Sequence, residues 1–131
     1  MKNIKAVIRI HAWIESERGM ILGPGRAMLI ENIEKYGSLQ NAAKKMGISY
    51  RAAWGRIKKT EEVLGYKLLE KNPGGYHLSP LGKELHDKYV AWYKKIENYA
   101  LKESKTVFPW ISTSYERSEE HTSELQSRQS I

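Results

Sequence analysis

Between Ser38 and Leu64 the apolar residues fall into two short helical stripes parted by one glycine, and that spacing limits the folds open to the chain. Leu39, Ala42, Ala43 and Met46 recur at i, i+3, i+4 and i+7 behind Ser38, a residue type that caps helix starts. Gly47 stops that helix. Ser49 caps the next one, in which Ala53, Ile57, Thr60 and Leu64 repeat every three or four residues until Gly65 offers a left-handed end. Two helices this short, joined by Met46-Gly47-Ile48, read as a helix-turn-helix.

The flanking segments are consistent with that reading. Gly23-Pro24 opens a helix predicted over Pro24 to Tyr36, with Leu29, Ile30, Ile33 and Tyr36 on its buried face and Gly37 closing it. Upstream, Lys5 to Glu15 alternates apolar and polar residues and predicts one half-buried strand, returning after Glu17-Arg18-Gly19 as a short strand at Met20 to Leu22. After Gly65, Tyr66 to Lys71 and Tyr76 to Leu78 flank the dense turn Asn72-Pro73-Gly74-Gly75, which predicts a hairpin, the wing of a helix-turn-helix. Ser79-Pro80 starts a last, long helix. Along it Leu85, Tyr89, Trp92, Ile96 and Tyr99 recur near every 3.5 residues, the period of a seam with a partner helix, so these five are the predicted dimerisation residues of a homodimer. The expected fold is mainly α with a small β component: a winged helix-turn-helix with N-terminal strands and a long C-terminal dimerisation helix, over residues 1–103. Residues 104–131 turn to Ser, Thr, Glu and Gln and are expected to be a disordered tail. Within it, Arg117 to Arg128 (RSEEHTSELQSR) resembles the conceptual translation of a sequencing-library adapter, so residues 117–131 are set aside as non-native.

Composition narrows the chemistry. The chain has 131 residues, no cysteine and a formal charge of +7, which leaves room for one ordinary domain and no thiolate chemistry. Residues 117–131 hold two Arg and three Glu, so without them the charge rises to +8. Asp87 is the only Asp, the histidines lie apart at 11, 77, 86 and 121, and there is no nucleophile elbow or phosphate loop, so no catalytic residue, cofactor or metal site is expected. His86-Asp87 reads as a solvated helix face, and Gly23-Pro24-Gly25-Arg26 as a helix start. No apolar run approaches a membrane span and no signal peptide opens the chain, which predicts a cytoplasmic protein with no membrane partner.

Charge is sorted onto the two-helix motif. From Ser38 to Thr60 there are six basic residues, Lys44, Lys45, Arg51, Arg56, Lys58 and Lys59, and no acidic one, until Glu61 and Glu62 follow. A helix that buries Ala53 and Ile57 turns Arg51, Gly55 and Lys58 to the opposite side and leaves Tyr50 and Trp54 on a flank. That pattern predicts double-stranded DNA as partner. Arg51 would read a guanine edge, Gly55 would admit close approach, and Lys58 would hold a phosphate. Ser38, Lys44, Lys45 and Ser49 would add phosphate contacts, and Lys71, Tyr76 and His77 of the wing would touch the flanking backbone. A protein-interaction module acting through the amphipathic last helix is the rival reading, but it gives no reason for an acid-free window; a small enzyme lacks its constellation.

The ordered set GSLQNAAKKMGISYRAAWGRIKKTEEVLGYKLLEKNPGGYHLSPLGKEL, with the GPGR opening, Ala42-Ala43, Ser49-Tyr50-Arg51 and Trp54, resembles the winged helix-turn-helix of ModE-type regulators and, more distantly, of LysR-type regulators. The resemblance covers about residues 5 to 101. It implies transcriptional control through DNA, in the ModE case of genes for molybdate or tungstate uptake and use. Full-length ModE-type proteins add small oxyanion-binding β-barrels, and nothing from Lys102 onward has their length or strand pattern, so direct molybdate binding by this chain is not expected. A truncated LysR-type regulator is the alternative; Tyr50-Arg51 and Trp54 fit the ModE pattern better.

Overall fold

The structure, a computed structural model, describes residues 4–115. In chain order its elements are β1 (Ile4–Ile8), β2 (Ile14–Ser16), β3 (Gly19–Leu22), α1 (Pro24–Tyr36), α2 (Leu39–Met46), α3 (Tyr50–Leu64), β4 (Leu69–Asn72), β5 (Gly75–Leu78), α4 (Pro80–Val107) and β6 (Ile111–Tyr115). The first three helices enclose a core built from Leu29, Ile30 and Ile33 of α1, Leu39 of α2 and Ile57 of α3, with Leu22 and Leu68 sealing its sides. The local signals act as predicted: Ser38, Ser49 and Ser79 each cap a helix by accepting a backbone N–H from three residues on. Gly47 takes φ 68°, the left-handed region that suits glycine, and so turns α2 into α3. β4 and β5 pair antiparallel, Lys71 opposite Tyr76, as the wing.

The wing and α4 are joined backbone to backbone. Ser79 N donates to Leu68 O at 2.8 Å and Ser79 Oγ donates to Lys67 O at 2.9 Å. Gly82, in the first turn of α4, then lies so close that a Cβ there would stand 2.5 Å from Leu68 O. Among the described residues no helix is long and apolar enough to cross a membrane.

Four expectations are corrected. The segment read as one strand, Lys5 to Glu15, is two: β1 leaves to pair in parallel with β6, and only β2 forms a hairpin with β3. Between them the Ile10 and Ala12 carbonyls accept the hydroxyls of Tyr93 and Tyr89, so this stretch is held by α4 instead of a strand ladder. Second, the buried face of α4 runs through Gly82, His86, Tyr89, Tyr93, Glu97 and Ser104, largely one residue on from the predicted seam. Tyr89 is therefore in the protein's own core, while Leu85 and Ile96 are half-buried and Trp92 and Tyr99 stay exposed at 40% and 66%. Third, the boundary expected at Ser104 does not end an element. Ser104 is buried, its Oγ donates to Leu101 O inside a helix that continues to Val107, and β6 follows. Residues 117–131 lie outside the described residues. Fourth, His86 is buried, not solvated.

Two outcomes follow from the α4 contacts. Gly82→Ala should gain helix propensity yet lose about 1–3 kcal/mol net, because the methyl meets backbone that cannot swing away; urea unfolding measures it. Burial, with Tyr93 and Glu97 nearby, holds the Tyr89 phenol above its ordinary pKa of 10.0, and burial raises Tyr93 as well. Groups whose folded pKa is raised give their full stability below the unfolded value and lose it as pH climbs toward the folded one. Stability should hold up to pH 10 with respect to these phenols and fall above it, and Tyr89→Phe should flatten that fall in urea titrations across pH.

Candidate nucleic-acid interface

The face of α3 turned away from the core carries Arg51, Ala52, Gly55, Lys59 and Glu62, all exposed. No described residue hydrogen-bonds or ion-pairs Arg51. A Cβ built on Gly55 would meet nothing within 4 Å. Lys44 and Lys45 are exposed at the end of α2, Lys45 with its Nζ 5.3 Å from the Tyr36 ring centre, and Lys71 is exposed on the wing, 5.8 Å from the Tyr76 ring. These cations stand on α2 and β4, the elements that precede and follow α3.

A row of aromatic rings spans α3 and the wing. Tyr50 and Trp54 stack with centroids 6.3 Å apart, and Trp54 meets the Tyr76 ring edge-on at 4.7 Å. Beneath the row lies Glu61, only 8% exposed. Its Oε2 accepts the backbone N–H of Leu68 at 2.7 Å and of Leu69 at 3.3 Å, and its Oε1 pairs with Lys58 Nζ at 2.9 Å. The side chain thus ties α3 to the first residues of the wing. Arg26 plays a similar part on the other side, donating to Met20 O and Thr60 Oγ1; burial, then Arg56, lowers its pKa below the ordinary arginine value.

The predicted site residues divide on this geometry. Lys44, Lys45, Ser49, Tyr50, Arg51, Gly55 and Lys71 are exposed along the surface, and Trp54 and Tyr76 are half-buried within the ring row. Lys58 does not project outward: it is 34% exposed, held by Glu61 and lying 4.3 Å from the centre of the Trp54 ring. Ser38 is buried with its Oγ accepting from Asn41 N, which makes it a helix cap. The His77 ring is tucked under the wing turn, with Nε2 buried and 3.4 Å from where a Gly74 Cβ would stand. Lys59, one of the six basic residues of the acid-free window, is also exposed on this face. It follows Gly55 by four residues and Arg51 by eight, so the count that placed those two also places it.

The profile described as bacterial regulatory helix-turn-helix protein, lysR family, matches residues 27–83. That match makes residues 27–83 similar to the helix-turn-helix of LysR-type regulators. The match runs from within α1 through the wing to the first turn of α4, and so contains the whole surface just described. The transcriptional regulator ModE of Haemophilus influenzae is 31% identical to the chain over 75 residues, covering 57% of this chain and 28% of that protein. The molybdenum transport protein ModE of Azotobacter vinelandii is 32% identical over 87 residues, 64% of this chain and 32% of that one. The chain spans under a third of the length of these relatives. A BenM DNA-binding domain, solved with catB site 1 DNA, superposes with TM-score 0.52 at 17% identity over 66% of this chain and 97% of its own, which shows the winged-helix fold.

Within the segment that this profile matches, Glu61 is the buried group whose loss should be felt furthest. Glu61→Ala leaves the Leu68 N–H without its acceptor and releases Lys58, and should lower stability by about 1–3 kcal/mol. Amide exchange should show Leu68 and Leu69 losing protection before the core of α1 does; equal protection in wild type and variant would remove this role.

Proposed function

We propose that the chain is a sequence-specific transcription regulator that binds duplex DNA as a homodimer, with α3 in the major groove and the wing on the flanking backbone. The observation that carries this reading is the open face of α3. Glycine inside a helix costs about 1 kcal/mol relative to alanine, and Gly55 has no internal neighbour that a methyl would disturb. Bulk is therefore excluded there by something outside the chain, and the flanking Arg51 and Lys59 suit an anionic duplex. Arg51 is long enough to bridge guanine O6 and N7, and the Ala52 methyl beside it suits a thymine methyl. Lys44, Lys45, Lys59 and Lys71 supply the phosphate contacts in place of Lys58. Exposed Trp92 and Tyr99 on α4 support self-association through that helix. ModE as the name of relatives at 31–32% identity supports target genes tied to molybdate or tungstate, and a cytoplasmic site of action follows from a chromosomal target.

Fluorescence-anisotropy titration on operator and scrambled duplexes across a salt series tests the reading. Arg51→Ala should lose about 1–3 kcal/mol on the operator and much less on scrambled DNA. Gly55→Ala should unfold at higher urea, by about 0.5–1 kcal/mol, yet bind the operator more weakly than wild type. Lys59→Ala should weaken both duplexes and shrink the salt slope by about one unit. Wild-type binding by all three variants would show that α3 is not the reading head.

A further inference from the structure

We propose that Glu34, His86 and Asp87 form a binding site for a divalent first-row transition-metal ion of the zinc type, which would fasten the end of α1 to α4. Donor atoms of the three side chains lie within 4.8 Å of one another, one from α1 and two from α4. The carboxylates alone would carry no such reading, since both are exposed and water serves them. His86 is different. It is 8% exposed, and its Nδ1 is buried with no hydrogen-bond partner. The nearest carboxylate oxygen, Asp87 Oδ1, is 3.6 Å away, beyond hydrogen-bond reach but close enough for both atoms to meet one ion at about 2.0–2.2 Å from each. A buried imidazole nitrogen without a partner costs free energy unless something fills the gap.

The donor set selects the ligand. One imidazole nitrogen with two carboxylates suits zinc or cobalt(II), whereas magnesium and calcium favour all-oxygen shells. Three protein donors leave further positions to water. Lys83 is the built-in competitor: its Nζ is 3.3 Å from Glu34 Oε1, so an ammonium already sits against one of the donors, and an arriving ion must displace it or share that carboxylate. The site lies on α1 and α4, away from the open face of α3, so it stands independently of the DNA-binding proposal.

Calorimetric titration of zinc chloride into the full chain without DNA, in a non-chelating buffer at pH 7, tests the site. One ion per chain is expected, with no binding of magnesium at the same concentrations. Glu34→Gln and Asp87→Asn alter exposed side chains and should stay folded, as thermal melts will show, while each weakens zinc binding about tenfold or more. Lys83→Gln should tighten it. Cobalt(II) should give visible absorption bands that both carboxylate variants diminish. Absence of zinc binding to wild type, or affinities and cobalt spectra unchanged in both carboxylate variants, would overturn the proposal, the latter assigning the ion to another histidine.

Discussion

The geometry between the exposed face of α3 and the wing depends on one buried carboxylate. Glu61 leaves water to accept two backbone N–H groups at the start of the wing and one ammonium from its own helix. Burying a charge is costly unless it is both paired and hydrogen-bonded, and here both conditions hold. The result is a fixed angle between α3 and β4. Without that fastening, Trp54 and Tyr76 would have no reason to keep their edge-on contact, and Lys71 would have no defined position relative to Arg51. The same carboxylate explains why Lys58, which helical counting alone sends toward a groove, turns toward the wing.

What could be read from the sequence was what depends on near neighbours. The bounds of α1, α2 and α3 follow from Pro24 at the start of α1, serine caps on α2 and α3, left-handed glycines and apolar repeats within four residues, and the structure places them where those signals do. The wing follows from Asn72, whose Oδ1 accepts from Gly74 N, and from the glycines beside it. Of the interface, Arg51 and Gly55 were legible because a helix's outer face is fixed once its buried face is known. Glu61 was not, because its partners are seven and eight residues away and no local pattern announces them. The alternating segment Lys5 to Glu15 misled for a related reason: alternation reports a half-buried extended chain but not what covers it, and here Tyr89 and Tyr93 cover its middle. On α4, the apolar stripe and the mixed polar and aromatic face that is buried run side by side, one residue apart. The spacing of Leu85, Trp92 and Tyr99 is real, yet the chain buries Tyr93 and His86 first.

Gly82 and Gly55 show how one residue type serves opposite ends. Gly82 is required by a contact already made, the backbone of Leu68 against α4. Gly55 has no such contact, and its small size leaves helix stability unused in the isolated chain. A fold that forgoes a stabilising methyl at one exposed helical position, while crowding another to the limit, distinguishes in its own backbone between a surface completed by folding and one that folding leaves open.

The parallel pair β1–β6 carries a different kind of consequence. It joins Ile4 to Ile111 and Ile8 to Tyr115, so forming it closes a loop that contains every other described element. Closing a loop of that length from an open chain sacrifices more entropy than five short strand residues return, whereas closing it after the helices have condensed costs little, since the intervening chain is already compact. The pair is thus an effect of the fold and not its origin. A pair of this sequence separation is expected to close after the three-helix core has formed and to part before it does, leaving α3 and the wing in place.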